Sequence, residues 1–127
     1  MVTLTSTILC LSLTVYHEAR GEPLHAQKAV ANVVLNRSVE RNKSICEIVT
    51  EPNQFSWVKN RSAPNPTELD AWIQASVVAS DAIDRNEKDN TRGANHFFNH
   101  RLVRPVWVSD CSDLRVYGST TFCKIKR

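Results

Sequence analysis

Val15-Tyr16-His17-Glu18-Ala19-Arg20-Gly21-Glu22-Pro23 is the stretch on which the fold turns. Upstream of it, Leu4, Ile8, Leu11 and Val15 recur at helical spacing and predict a helix over residues 5–19. Gly21 suits a left-handed C-cap, and the residue before Pro23 is pushed out of the helical region, so that helix must stop here. Pro23 then falls in the first turn of a second helix. Ala26, Ala29, Val30, Val33 and Val34 give this second helix an apolar stripe that runs to about residue 42. Two helices are thus joined at a sharp break that carries a tyrosine and several ionisable groups.

Further along, Ser44-Ile45-Cys46-Glu47 has the capping-box pattern and predicts a short helix to about residue 50. Residues 53–66, with Pro64 and Pro66, read as a long loop. Asn65 and Glu68 around Pro66 signal another helix start. That helix is expected to reach about residue 85, with Leu69, Trp72, Ile73, Val77, Ser80 and Ile83 facing inward. Residues 86–93 form a polar turn, after which the pattern changes. His96-Phe97-Phe98, Val106-Trp107-Val108 and residues 119–124 read as short strands. The expected fold is α+β: a helical body with a small antiparallel sheet region in the C-terminal third, as one domain over residues 1–127.

The bulk composition narrows the class. At 127 residues, 42% hydrophobic and 23% charged, the chain matches an ordinary globular domain. A net charge of +3, spread along the chain, is too small to indicate nucleic acid, although it suits an anionic wall polymer. Residues 4–15 could be taken for a secretory leader. They lack a basic flank before Arg20 and are broken by Thr5, Ser6, Thr7, Ser12 and Thr14, so they read as a buried helix. On that reading there is no signal peptide and no stable membrane insertion, and the protein is made in the cytoplasm. The cysteines (Cys10, Cys46, Cys111 and Cys123) form no C-x-x-C pair. Cys10 reads as a small core hydrophobe. Cys111 and Cys123 are close enough to bridge a C-terminal loop.

The helix break is where chemistry is expected. A carboxylate on a helix's last turn lies near the negative end of the dipole, and apolar cover further disfavours its ionised form. Glu18 has this setting, and a raised pKa is what a general acid needs. His17-Glu18 opens like the H-E-x-x-H zinc motif, but position 21 is Gly, so the second ligand is missing. His96 and His100 do not share a helix. No metal or other cofactor is expected.

The chain resembles the SleB/CwlJ-type cell-wall hydrolases, the spore-cortex-lytic family whose relatives also occur among phage lysis genes. The resemblance rests on residues 16–23 of the opening stretch and on Gln27-Lys28-Ala29-Val30-Ala31-Asn32-Val33-Val34-Leu35-Asn36-Arg37. It continues at Gln54-Phe55-Ser56-Trp57, Ala94-Asn95-His96-Phe97-Phe98-Asn99 and Arg104-Pro105-Val106-Trp107. The first block is the specific one. The resemblance implies a lysozyme-like fold that cuts between N-acetylmuramic acid and N-acetylglucosamine, with Glu18 as the catalytic residue. It also implies lytic transglycosylase chemistry, which leaves 1,6-anhydromuramic ends. One departure is Thr120, which stands where the family's closing strand often has a histidine.

The remaining candidates are substrate-binding or supporting groups: Tyr16, Arg20, Glu22, Gln54, Phe55, Trp57, His96, Asn99 and Trp107. Arg20 is read as orienting Glu18 or holding Glu22, against a plain surface ion pair. Glu22 is either a second carboxylate or a tether for the turn. Asn36 and Arg37 could brace Glu18 from behind. The loop aromatics Phe55 and Trp57 either stack on sugars or plug the core. The expected partner is the peptidoglycan glycan strand, bound by a monomer. As a phage endolysin, the protein would need a holin to reach its substrate. A hydrolytic muramidase is the close rival, and a non-catalytic wall-binding module is the more distant one.

Overall fold

A computed structural model describes residues 1–126. The N-terminal helix α1 (Thr7–Ala19) starts at Ser6, whose hydroxyl accepts from the Leu9 N–H. Every residue from Cys10 to Tyr16 is buried, while Ile8 is exposed. The single apolar face expected from sequence is therefore too narrow, because α1 is wrapped on nearly all sides. Its polar positions are tolerated locally: the Thr14 hydroxyl donates to the Cys10 carbonyl at 2.8 Å. At its end Arg20 is extended and Gly21 takes φ +83°, a conformation that costs glycine little.

Helix α2 (Leu24–Arg41) follows at once and ends on Asn42 in the left-handed conformation. Helix α3 (Ile45–Val49) has both halves of the capping box, between Ser44 and Glu47. Helix α4 (Leu69–Ile83) and α2 both pack on α1, and α3 packs on α1 and α2. The inward face of α4 differs from the expected one. Leu69, Ile73 and Val77 are 69%, 52% and 54% exposed, whereas Ala75, Val78 and Ala79 are buried. Small residues let α4 lie close against α1; Trp72 and Ile83 pack against the core as expected, while Leu69, Ile73, Val77 and Ser80 are turned outward.

Two short strands that the sequence did not suggest, β1 (Val2–Thr3) and β2 (Ser62–Ala63), pair antiparallel and tie the N-terminus to the long loop. The second sheet contains β3 (His96–Asn99), β4 (Ser112–Tyr117) and β5 (Thr120–Lys124), antiparallel in the order β3-β5-β4. Strand β4 replaces the expected strand at Val106–Val108, which lies instead in a 3-10 helix, Val106–Asp110. Pro105 sits at the start of that turn, and the Gly118-Ser119 turn brings residues 112–117 alongside β5. Phe122 on β5 packs with Ala19, Ala29, Val30 and Val33, which fastens the sheet to the α1–α2 junction.

Both cysteine pairs are joined. Cys111–Cys123 closes the C-terminal loop. Cys10–Cys46 links α1 to α3, so Cys10 is a cross-link and not merely a packed apolar side chain. Among the described residues no helix is long and apolar enough to cross a membrane.

Candidate active site

The break after α1 directs Glu18 into a cleft of about 460 Å³ between the helices and the second sheet. Arg20, Glu22, Phe97, Phe98, Asn99, Val103, Pro105, Trp107 and Thr120 complete its lining. The helices supply the ionisable groups, and the C-terminal third supplies the apolar and aromatic wall. Phe98 and Trp107 meet edge to face at 5.5 Å, which gives this wall a fixed shape.

Glu18 has a defined partner. The Trp57 indole N–H donates to its Oε2 at 2.8 Å. Burial pushes the Glu18 carboxyl above its ordinary pKa, while the Trp57 bond and the nearby Arg37 guanidinium pull the other way. Arg37 is buried on α2, and its Nε donates to the Asn95 carbonyl at 2.7 Å. A buried cation thus lies near Glu18, as the position of Arg37 on the second helix suggested. Asn36 does not share this role, since its amide donates to Asp89 and to the Ala94 carbonyl.

Trp57 sits within a stack of rings. Phe55 lies 5.5 Å from it at 23°, and His17 lies 4.8 Å away at 28°. Phe55 is buried in the helical core, so it supports the site without lining the cleft. Gln54, in the same loop, is half-buried and also lies outside the lining. His17 packs against the Pro64 carbonyl through Nε2 at 3.1 Å, and its burial lowers its pKa.

Arg20 does not orient Glu18 or hold Glu22. It pairs with Glu68 at 2.6 Å and lies over the Tyr16 ring at 4.8 Å. Both charged side chains are largely exposed, so the pair contributes little stability. Tyr16 is buried, and its hydroxyl accepts from the Thr67 and Glu68 N–H groups at 3.0 Å each. It fixes the start of α4 and leaves the cleft to its neighbours. Glu22 lines the cleft but is also tied down, because its Oε1 accepts from the Ser119 N–H at 2.8 Å. The tether runs to the β4–β5 turn, not to its own helix break.

Asn99 and Trp107 line the cleft, as does Thr120 at the position where the resemblance leads one to expect histidine. His96 is set back: its Nδ1 is 2.8 Å from the Asn95 side-chain oxygen, and its ring rests on Trp107 at 4.9 Å. Phe97, Phe98, Val103 and Pro105 complete the wall and were not singled out from sequence. Alternation along β3 could not have found both Phe97 and Phe98, since adjacent strand residues face opposite ways yet both line the cleft. Val103 gave no signal.

Comparison with known proteins places the chain in a family. Residues 21–123 match the Cell Wall Hydrolase family. The Spore cortex-lytic enzyme of Bacillus cereus is 32% identical over 122 residues, which is 92% of this chain and 44% of that protein. The Bacillus subtilis Spore cortex-lytic enzyme is also 32% identical over 122 residues, 37% of its length. The chain therefore spans less than half of these relatives. The crystal structure of the catalytic domain of Bacillus cereus SleB superposes with a TM-score of 0.73 at 31% identity, covering 93% of this chain and 89% of that one. The catalytic domain of the germination-specific lytic transglycosylase SleB from Bacillus anthracis gives 0.74 at 30% identity, with 93% of each covered. With the sequence and the fold matched over nearly its whole length, the chain belongs to the Cell Wall Hydrolase family, in its SleB-like branch.

Proposed function

We propose that this chain cuts the glycan strand of peptidoglycan between N-acetylmuramic acid and N-acetylglucosamine, as a lytic transglycosylase with Glu18 as acid and then base. The observation that carries the reading is Glu18 itself: a part-buried carboxyl with a raised pKa, hydrogen-bonded to Trp57 and facing a cleft lined with aromatic residues. Protonated Glu18 gives its proton to the glycosidic oxygen as the bond to muramic C1 breaks. Its carboxylate then takes the proton of the muramic C6 hydroxyl, whose oxygen closes on C1. The product is a 1,6-anhydromuramic end, and Glu18 is again protonated. Aromatic faces such as Trp107 supply stacking surfaces for sugar rings.

Glu22 favours a second reading. It lines the same cleft, and a hydrolase needs a second carboxyl about 5 to 9.5 Å from the acid to handle water. The tie between Glu22 and Ser119 supports a structural role and so favours the transglycosylase scheme. Digestion of purified peptidoglycan followed by mass spectrometry tests both readings. Anhydro fragments, lighter by one water and free of label from ¹⁸O-water, are expected. Reducing muramic ends that carry ¹⁸O would establish the hydrolase. Glu18→Gln is expected to lower activity about 100-fold or more. Unchanged wall lysis by that variant would remove Glu18 from the mechanism, whereas a wild-type protein that releases no fragments would be a binding module.

Within this proposal the chain serves as a phage endolysin, released onto the wall after a membrane breach. Expression alone is then tolerated, and permeabilisation triggers lysis. Lysis on expression without a permeabiliser would overturn that placement.

A further inference from the structure

We propose that Trp57 is a positioning residue that gives the two oxygens of Glu18 separate jobs: its indole N–H occupies Oε2, which leaves Oε1 to carry the acid proton and later to take one back. The inference rests on Glu18 being the acid/base. The indole nitrogen is only a donor, so it can bond only to an oxygen that offers a lone pair. At 2.8 Å it engages Oε2, and because a carbonyl oxygen accepts better than a carboxyl hydroxyl, it favours neutral Glu18 with its proton on Oε1. A mechanism with one carboxyl needs this order. The same group must release a proton and then accept another, and a freely rotating carboxyl would present either oxygen to the sugar.

The indole is built to stay in place. Phe55 and His17 stack on it at 5.5 and 4.8 Å, both within 28° of parallel. Phe55 is anchored in the core, and His17 is anchored on the Pro64 carbonyl. His17 also directly precedes Glu18 on α1, so the support and the carboxyl belong to one rigid helix. The N–H bond grows stronger when Glu18 is ionised, because a charged acceptor makes the better hydrogen bond. Trp57 therefore opposes the burial that raises the Glu18 pKa, and keeps the carboxylate available for its second step.

Trp57→Phe keeps a stacking ring and removes only the donor. It is expected to lower kcat about 10-fold while leaving KM for peptidoglycan within about twofold. The alkaline limb of the pH profile is expected to move upward, because ionised Glu18 has lost its donor. In the wild-type protein the ¹H–¹⁵N signal of the Trp57 indole, assigned by its loss in Trp57→Phe, is expected to titrate with Glu18. In Glu18→Gln it is expected to stay still. An indole signal that does not titrate, or an alkaline limb unmoved in Trp57→Phe, overturns the assignment of Trp57. Should Trp57→Phe fail to fold, the indole signal is assigned instead by its proton contacts to the stacked Phe55 and His17 rings, and its titration in the wild type and in Glu18→Gln still decides the matter. Full activity in Glu18→Gln would instead refute the acid/base reading itself, whatever Trp57 does.

Discussion

The Glu22 carboxylate accepts the backbone N–H of Ser119 at 2.8 Å, joining the α1–α2 break to the β4–β5 turn across 97 residues of sequence. The contact is close on both sides. A Cβ on Gly118 would come within 2.8 Å of Glu22 Oε1 and 2.7 Å of Pro23 Cδ, and Gly118 has φ +58°. Glu22→Gln retains an acceptor oxygen and is expected to keep most of the activity and stability. Glu22→Ala leaves the Ser119 N–H without its partner and is expected to cost about 1–3 kcal/mol. Gly118→Ala combines a clash with an unfavourable backbone and is expected to be at least as damaging. Thermal melts of the three variants, read beside wall-lysis rates, check the ranking. Loss of activity in Glu22→Gln equal to that in Glu18→Gln would make Glu22 a chemical partner and not a tether.

This contact also marks where the sequence stops being legible. The helix boundaries around Gly21 and Pro23, and the capping box at Ser44, follow from local rules that act within a few residues. The partner of Glu22 lies on a hairpin whose position depends on the whole fold. The same holds for Trp57: loop composition gave sugar stacking and core plugging equal weight, and only the folded chain brings its N–H to Glu18. The α4 face was misread because hydrophobic periodicity favours large residues, whereas close helix packing here uses Ala75 and Ala79. Strand β4 was overlooked because Ser112, Asp113, Leu114 and Val116 are exposed, so there is no clean alternation to detect.

The cross-link between Cys10 and Cys46 spans 36 residues, and that between Cys111 and Cys123 spans 12. Loop-closure entropy assigns them about 4 and about 3 kcal/mol, respectively. Cys46→Ser is therefore expected to lower Tm more than Cys111→Ser. Reduction with dithiothreitol is expected to lower the wild-type Tm by about 10 °C or more. Such bonds form readily in oxidising compartments and rarely in a reducing cytosol. Protein recovered from the cytosol under alkylating conditions is expected to carry free thiols, and protein exposed to an oxidising medium to carry none. Equal melting of the oxidised and reduced forms would assign the cross-links no stabilising role.

His17 is occupied by the Pro64 carbonyl and by the Trp57 ring, and His96 by Asn95 and Trp107. Among the described residues no three side chains of His, Cys, Asp or Glu are grouped as a metal site. Exhaustive dialysis against EDTA is expected to leave the rate of wall lysis unchanged. Loss of activity that returns with stoichiometric zinc would contradict the proton-transfer scheme built on Glu18.

The raised pKa of Glu18 also makes stability depend on pH. Burial favours the protonated form, so between the unfolded and folded pKa values the native state holds more protons than the unfolded chain. The contribution of Glu18 to stability is therefore fully present below the unfolded pKa, near the ordinary glutamate range, and is lost as pH rises through the folded value. Wherever Glu18 is ionised in the native state, its part-buried carboxylate is a liability that the Trp57 bond and Arg37 only partly offset. Glu18→Gln replaces it with a neutral group of the same shape, which can still accept from the indole. The inactive variant is expected to melt above wild type at pH 7, and the gap is expected to close as the pH falls below about 4.3. Melting curves of the two proteins over that range give the answer directly. A Glu18→Gln variant less stable than wild type at pH 7 would mean that the carboxylate is held by more favourable interactions than its surroundings suggest, and the raised pKa needed for the acid step would be lost with it.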